Sequence, residues 1–293
     1  MSTNPIGATL PGYATSSLAD YWVLAKPEVN FLIAITAGAA FRAGTPSDAP
    51  LFPWLLLFHT VLGTLLVAGG AGALNQWMEH RFDAKMRRTA RRPIVAGRIQ
   101  PAHALAFGAV LALMGVFYLA AAVLPAASLL ALLTLGWYLL LYTPLKRRTP
   151  LCTLVGVFPG AMPVLIGYVA AAGKLGPKAW LLFAILLLWQ FPHFMAIAWM
   201  YRQDYDRAGY RVLPKSHRRR AFVTCQTVLP LLFLTPLALF VAPLAAGLPL
   251  TLGFLYYGVR FASCASTSGA RKLLFASIVY LPALFGAAVL FRM

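Results

Sequence analysis

The chain has 293 residues, 60% of them hydrophobic and only 11% charged, with a mean hydropathy of +0.75. A soluble domain carries about 25% charged residues, so this composition excludes an ordinary water-soluble globule and points to a chain that crosses a membrane repeatedly. The net charge of +18 then reads as basic loops held against an anionic leaflet, with no call for a nucleic-acid partner.

Residues 1–20 are polar, rich in Gly, Pro and Ser, and read as a loose tail. Asp20–Lys26 suits the membrane interface, with Tyr21 and Trp22 as aromatic anchors. One Lys against two acids before the first apolar run makes a poor signal peptide. Residues 1–27 are therefore assigned to an N-terminal tail or interfacial segment on the cytoplasmic side, and 28–293 to a single transmembrane domain.

Apolar runs follow at about 29–43, 51–74, 102–124, 127–143, 151–172, 178–200, 221–242, 245–263 and 271–291. Most reach the roughly 20 residues a bilayer requires, which predicts an all-α bundle of nine transmembrane helices. The Pro-Leu-Ala-Ala-Gly-Leu-Pro stretch at 243–249 is expected to form a tight turn. Segments after the second, fourth, sixth and eighth runs, together with Lys26, hold 21 of the 25 basic residues. The positive-inside rule places those segments and the N-terminus in the cytoplasm, and favours an odd number of spans. The second and sixth runs both end in acids followed by a long basic segment, which suggests two four-helix halves plus a ninth helix. Cys152, Cys225 and Cys264 lack metal-site spacing and read as small residues packed between helices.

The chemistry concentrates where the acids do. Of seven acids in the chain, Glu79, Asp83, Asp204 and Asp206 lie at the ends of the second and sixth runs. Asn75, Glu79 and Asp83 recur every four residues, so a helix points all three the same way. Oxygen donors of this kind suit Mg²⁺, which takes one or two carboxylates and keeps the rest of its shell for water and phosphate. Arg88 and Arg92 follow at once, and Lys146 and Arg147 lie on the same membrane side. Such cations neutralise phosphate directly. Asp204 is the expected facing ligand, while Asp206, two residues on, faces away if the helix continues. Aromatics (Trp77, Trp137, Tyr138, Trp189, Phe191, Phe194 and Trp199) supply walls for a dry cavity, or ordinary packing. Gln190 and His193 are polar residues at membrane depth and hence functional candidates. Pro192 between them is expected to kink the helix.

Four pieces carry a resemblance. They are Asn75-x-x-x-Glu79-x-x-x-Asp83-x-x-Met86-x-Arg88-Thr89-x-x-Arg92-Pro93; Tyr142-Thr143 with Lys146-Arg147-x-Thr149; Trp189-Gln190-x-Pro192-His193-Phe194; and Asp204-Tyr205-x-x-Ala208-Gly209 with Leu213-Pro214. In these the chain resembles the membrane-embedded UbiA-type prenyltransferases, and within them the haem-directed branch. Quinone-directed relatives are closer to Asn-Asp-x-x-Asp-x-x-x-Asp, whereas Gln76 and Glu79 follow the haem-type pattern. One departure lies after Thr149, where Cys152 has no neighbouring Asn.

The resemblance implies a nine-helix bundle that moves a farnesyl group from farnesyl diphosphate to a vinyl group of haem B. It implies Mg²⁺, or Mn²⁺ in its place, on Asn75, Glu79, Asp83 and Asp204. Arg88, Arg92, Lys146 and Arg147 would hold the diphosphate, and His193, Gln190 and Tyr142 the haem. Expected partners are haem B, farnesyl diphosphate, membrane lipid, and the next haem-modifying enzyme or an oxidase assembly factor. The expected location is a bacterial plasma membrane, with the active-site loops cytoplasmic. Two rivals remain: a related enzyme acting on a quinone precursor or chlorophyllide, and a haem carrier or transporter without catalysis.

Overall fold

The computed structural model describes residues 17–215 and 218–291. The expected tail up to residue 16, His217 and Arg292 lie outside them. Among the described residues all regular structure is helical. The short helix α1 (Leu18–Leu24) meets α2 (Pro27–Gly44) at a 54° bend. Then come α3 (Trp54–Asp83), α4 (Pro101–Ala122) and α5 (Pro125–Gly136). A π-helical stretch, Trp137–Tyr142, and the single turn α6 (Thr143–Leu145) continue the span that α5 begins. The second part holds α7 (Cys152–Ala172), α8 (Pro177–Met200), the short α9 (Arg202–Ala208), α10 (Arg218–Ala238), α11 (Leu244–Cys264) and α12 (Thr267–Leu290). Among the described residues eight helices are long and apolar enough to cross a membrane, or nine if the bent pair α1–α2 counts as one span.

α3 continues past the end of the second apolar run at residue 74 to Asp83 without a break, as the four-residue interval of Asn75, Glu79 and Asp83 requires. The helix persists because the polar residues keep its period and bury one face. The stretch at 243–249 is not a turn. The chain turns at 239–243, and Pro249 lies inside α11. Helix α8 likewise runs through Pro192 as one element.

Without a hydrophobic drive between helices in lipid, close packing falls to small residues. α3 and α4 lie together over most of their length, and a methyl group on Gly70 would stand 2.5 Å from the Ala112 nitrogen and 2.7 Å from the Gly108 carbonyl. In the first half α2, α3, α4 and α5 pack in sequence, and in the second α7, α8, α10 and α11 do the same. α7 also lies against α2, α3 and α5, and α12 closes the ring on α8, α11 and α2. This is the arrangement of two four-helix halves and one added helix that the charge pattern suggests.

The connecting segments meet at one end of the bundle. The Arg211 amide donates to the Lys146 carbonyl at 2.8 Å, and Arg98 bonds Asp20 of α1 at 2.7 Å. Arg202 reaches Thr267 at 3.4 Å. Of the cysteines only Cys152 is packed inside; Cys225 and Cys264 are exposed on outer faces.

Candidate functional site

α3 buries Asn75, Glu79 and Asp83 along one side, a turn apart. Asn75 Nδ2 donates to Glu79 Oε2 at 3.0 Å and to Thr143 Oγ1 at 3.2 Å, while its Oδ1 accepts from Lys26 Nζ at 2.8 Å. Lys146 Nζ lies 2.6 Å from Glu79 Oε1, and Arg92 pairs with Asp83. Burial opposes the charge on Lys146, but the Glu79 carboxylate outweighs it and holds the amine well above its usual range.

The π-helical stretch explains how Thr143 reaches Asn75. Single π turns recur at functional sites because they re-aim the residues around them. Here Thr143 Oγ1 donates to the Tyr138 carbonyl at 2.9 Å, leaving its lone pair for Asn75.

Asp204 stands on α9, which starts after a break at Tyr201 and ends at Gly209, in the left-handed region at φ 77°. Its buried carboxylate accepts from the Arg87 and Arg88 amides, each at 3.4 Å, and pairs with Arg207. The loop after α3 is thus the bridge between the two acidic clusters. Arg88 lies 5.2 and 5.3 Å from the Tyr201 and Tyr205 rings and donates to the Tyr205 hydroxyl at 3.1 Å. Asp206 turns outward and pairs with Arg219 at 3.3 Å, as its two-residue offset from Asp204 predicts.

Arg147 is not brought into this cluster. It is exposed and stacks over Phe82 at 4.7 Å, because successive residues at a helix end point in different directions. Two residues that sequence reasoning passed over are part of it. Lys26 counted only as a loop charge, yet it caps α2 with φ 55° and reaches Asn75. The Lys-Pro pair opening the first apolar run was the available signal. The buried hydroxyl of Tyr210 stands beside Glu79, with no fully formed hydrogen bond among the described residues, and Lys146 Nζ lies 5.9 Å from its ring. The hydroxyl can donate to the Glu79 carboxylate or to a ligand oxygen. Around Glu79, Asp83 and Asp204 stand Lys26, Arg88, Arg92, Lys146 and Arg207, so cations exceed acids.

Behind this polar face lies a cavity of about 400 Å³, walled by α2, α3, the fourth span (Pro125–Leu145), α7 and α8. Of the aromatics expected to line it, Tyr138, Trp189 and Phe194 do, together with Tyr142. Trp77, Phe191 and Trp199 are outside the lining, and Trp137 turns away to bond the Val155 carbonyl at 2.9 Å. Gln190 lines the cavity too, its amide donating to the Val157 and Leu186 carbonyls at 2.9 and 3.2 Å. His193 stacks on Trp189, ring centres 4.7 Å apart. The structure therefore gathers Asn75, Glu79, Asp83, Arg92 and Lys146 at the mouth, with Asp204 and Arg88 beside them, and Tyr142, Gln190 and His193 deeper.

Residues 31–279 match the UbiA prenyltransferase family. A protein of Solibacter usitatus called protoheme IX farnesyltransferase is 43% identical over 289 residues, spanning 94% of this chain and 99% of its own. One of the same name from Koribacter versatilis is 42% identical, spanning 99% of this chain and 98% of its own. A solved UbiA homolog from Archaeoglobus fulgidus, bound to GPP and Mg²⁺, has the same fold, with a TM-score of 0.62 at 13% identity over 92% of this chain and 99% of that one. With eight or nine helices apolar enough to span a membrane among the described residues, this packing and these relatives, the chain is an integral membrane protein that belongs to the UbiA prenyltransferase family.

Proposed function

We propose that this protein transfers a farnesyl group from farnesyl diphosphate to a vinyl group of haem B, forming haem O. The observation that carries the reading is the junction of two environments: buried carboxylates and surplus cations at the mouth, and an aromatic cavity directly behind. The near-full-length likeness to proteins called protoheme IX farnesyltransferase supports haem as the acceptor.

Among the described residues no three His, Cys, Asp or Glu side chains converge closely enough to cage a metal by themselves. The donor set instead fits Mg²⁺ delivered on a phosphate, with Asn75, Glu79, Asp83 and Asp204 as the protein's oxygens. Bound there, Mg²⁺ supplies Lewis-acid stabilisation of the leaving diphosphate. Lys26, Arg88, Arg92 and Lys146 neutralise its remaining charge, Arg147 attracts it at the rim, and Tyr210 donates to a free oxygen. As the C1–O bond of the farnesyl group breaks, the diphosphate leaves with the electron pair. The rings of Tyr138 and Tyr142 face the allylic cation that remains. The haem vinyl group attacks C1, and water then adds to the resulting cation with loss of a proton. The apolar walls matter because water arriving early would quench the first cation. Tyr142, Gln190 and His193 hold the haem side. The loops that build the mouth are cytoplasmic, in a bacterial plasma membrane, as the placement of 21 of the 25 basic residues supports.

The test is direct. Purified protein given haem B, farnesyl diphosphate and Mg²⁺ yields a more hydrophobic haem on chromatography, and chelating the metal stops it. Turnover of an aromatic acid with none of haem would overturn the assignment.

Lys26→Gln tests the cation that the sequence hid. Glutamine keeps a donor for Asn75 but removes the charge, so kcat/KM for farnesyl diphosphate falls about 10- to 100-fold, roughly 1.4–2.7 kcal/mol. Steady-state kinetics at varied diphosphate concentration checks this, and an unchanged value would remove Lys26 from the site.

A further inference from the structure

Ser277, on α12, belongs to none of the groups discussed so far. Its hydroxyl is fully buried and lies 2.6 Å from the Leu274 carbonyl and 2.8 Å from His193 Nδ1. A serine has one O–H to give. The Leu274 carbonyl can only accept, so the serine proton goes there. His193 Nδ1 must then be the protonated nitrogen, donating to the serine lone pair. Trp189 reinforces the arrangement: it stacks on the imidazole and donates from Nε1 to the Ser277 carbonyl at 2.8 Å. One residue of α12 thus holds both rings.

The consequence falls on the other nitrogen. With Nδ1 carrying the proton, Nε2 of the neutral ring holds a lone pair. It has no hydrogen-bond partner among the described residues, and the ring lines the cavity. A haem propionate would need a donor at that point, and a neutral ring has none left. An iron atom needs an electron pair, which is what the ring presents. Histidines that bind metals characteristically give their second ring N–H to a neighbouring acceptor, which fixes tautomer and orientation.

We propose that Ser277 is a positioning residue that sets the His193 tautomer, so that Nε2 coordinates the iron of the acceptor haem. This rests on the reading that haem is the acceptor. Coordination would fix the porphyrin plane across the ring and so limit which vinyl edge meets the allylic carbon.

The experiment uses the full-length protein in detergent, titrated with haem B in the absence of any prenyl diphosphate and followed by absorption and resonance Raman spectroscopy. Wild type is expected to show a histidine-ligated iron with an iron–histidine stretch in the ferrous state. His193→Ala loses that signature, and added imidazole restores a nitrogen ligand. Ser277→Ala weakens haem binding about 10- to 100-fold and shifts the stretch, while Ser277→Thr, which keeps the hydroxyl, restores both. The same spectrum in wild type and His193→Ala overturns the proposal and leaves the acceptor assignment standing. A Ser277→Ala spectrum and affinity equal to wild type overturns the role of Ser277. Wild type that takes up no haem overturns the acceptor reading and this proposal together.

Discussion

Asp83→Asn and Asp204→Asn are each expected to cut kcat/KM for prenyl transfer about 1,000-fold while the bundle stays assembled. The two carboxylates sit on different helices and are joined through the loop after α3, whose amides at Arg87 and Arg88 donate to Asp204. Removing either charge takes one wall from a metal–diphosphate site. Lewis-acid stabilisation of a leaving group is worth several kcal/mol, and about 4 kcal/mol corresponds to that factor. Asparagine keeps the shape and can still bond its neighbours, so the fold has little reason to fail. Asp206→Asn is the control, since that side chain faces outward toward Arg219. Single-turnover product formation, read beside a thermal melt of each variant, decides the matter. Wild-type turnover in both charge-removed variants would dismiss the metal assignment.

The second large effect is on stability. Gly167→Ala is expected to destabilise the protein by about 3 kcal/mol, at the upper end for overpacking. A methyl group there would overlap the Ala37 carbonyl and stand 2.8 Å from its carbon, where α2 and α7 lie against each other. The obstacle is backbone, so no rotamer change relieves it; the helices must separate. Because α2 carries Lys26 at its head, separation also disturbs the mouth of the site. Gly286→Ala on α12, with nothing within 4 Å of the added carbon, should stay within about 0.5 kcal/mol of wild type. Thermal unfolding in one detergent compares them, and equal midpoints would show that α2 and α7 tolerate a wider spacing.

Much of the mouth was legible because acids are so scarce in this chain. Asn75, Glu79 and Asp83 repeat at the helical interval, and nothing else competes for attention. What the sequence hid depends on geometry between distant segments. Lys26 matters only because the bend between α1 and α2 carries it to a residue 49 positions away. Thr143 meets Asn75 only because the fourth span ends in a π turn, which no propensity scale signals. Arg92 and Arg147 are the same residue type in similar basic runs, yet one pairs with a buried acid and the other stacks outside on Phe82. Deeper down the difficulty is different. Helices in lipid are apolar on every side, so periodicity cannot separate a lipid-facing tryptophan from one that lines a cavity. Hence Trp189 and Trp137 read alike, although only Trp189 lines the cavity.

The backbone of Lys26 has a consequence for how this protein would respond to selection. At φ 55° it sits where side chains with a Cβ are strained, by about 1 kcal/mol or more, and where Gly or Asn would rest more easily. The same residue places its ammonium against Asn75. Heat resistance and turnover therefore pull this position in opposite directions. A library screened only for survival on heating would drift from lysine toward glycine or asparagine, while one screened for product would retain the strained residue.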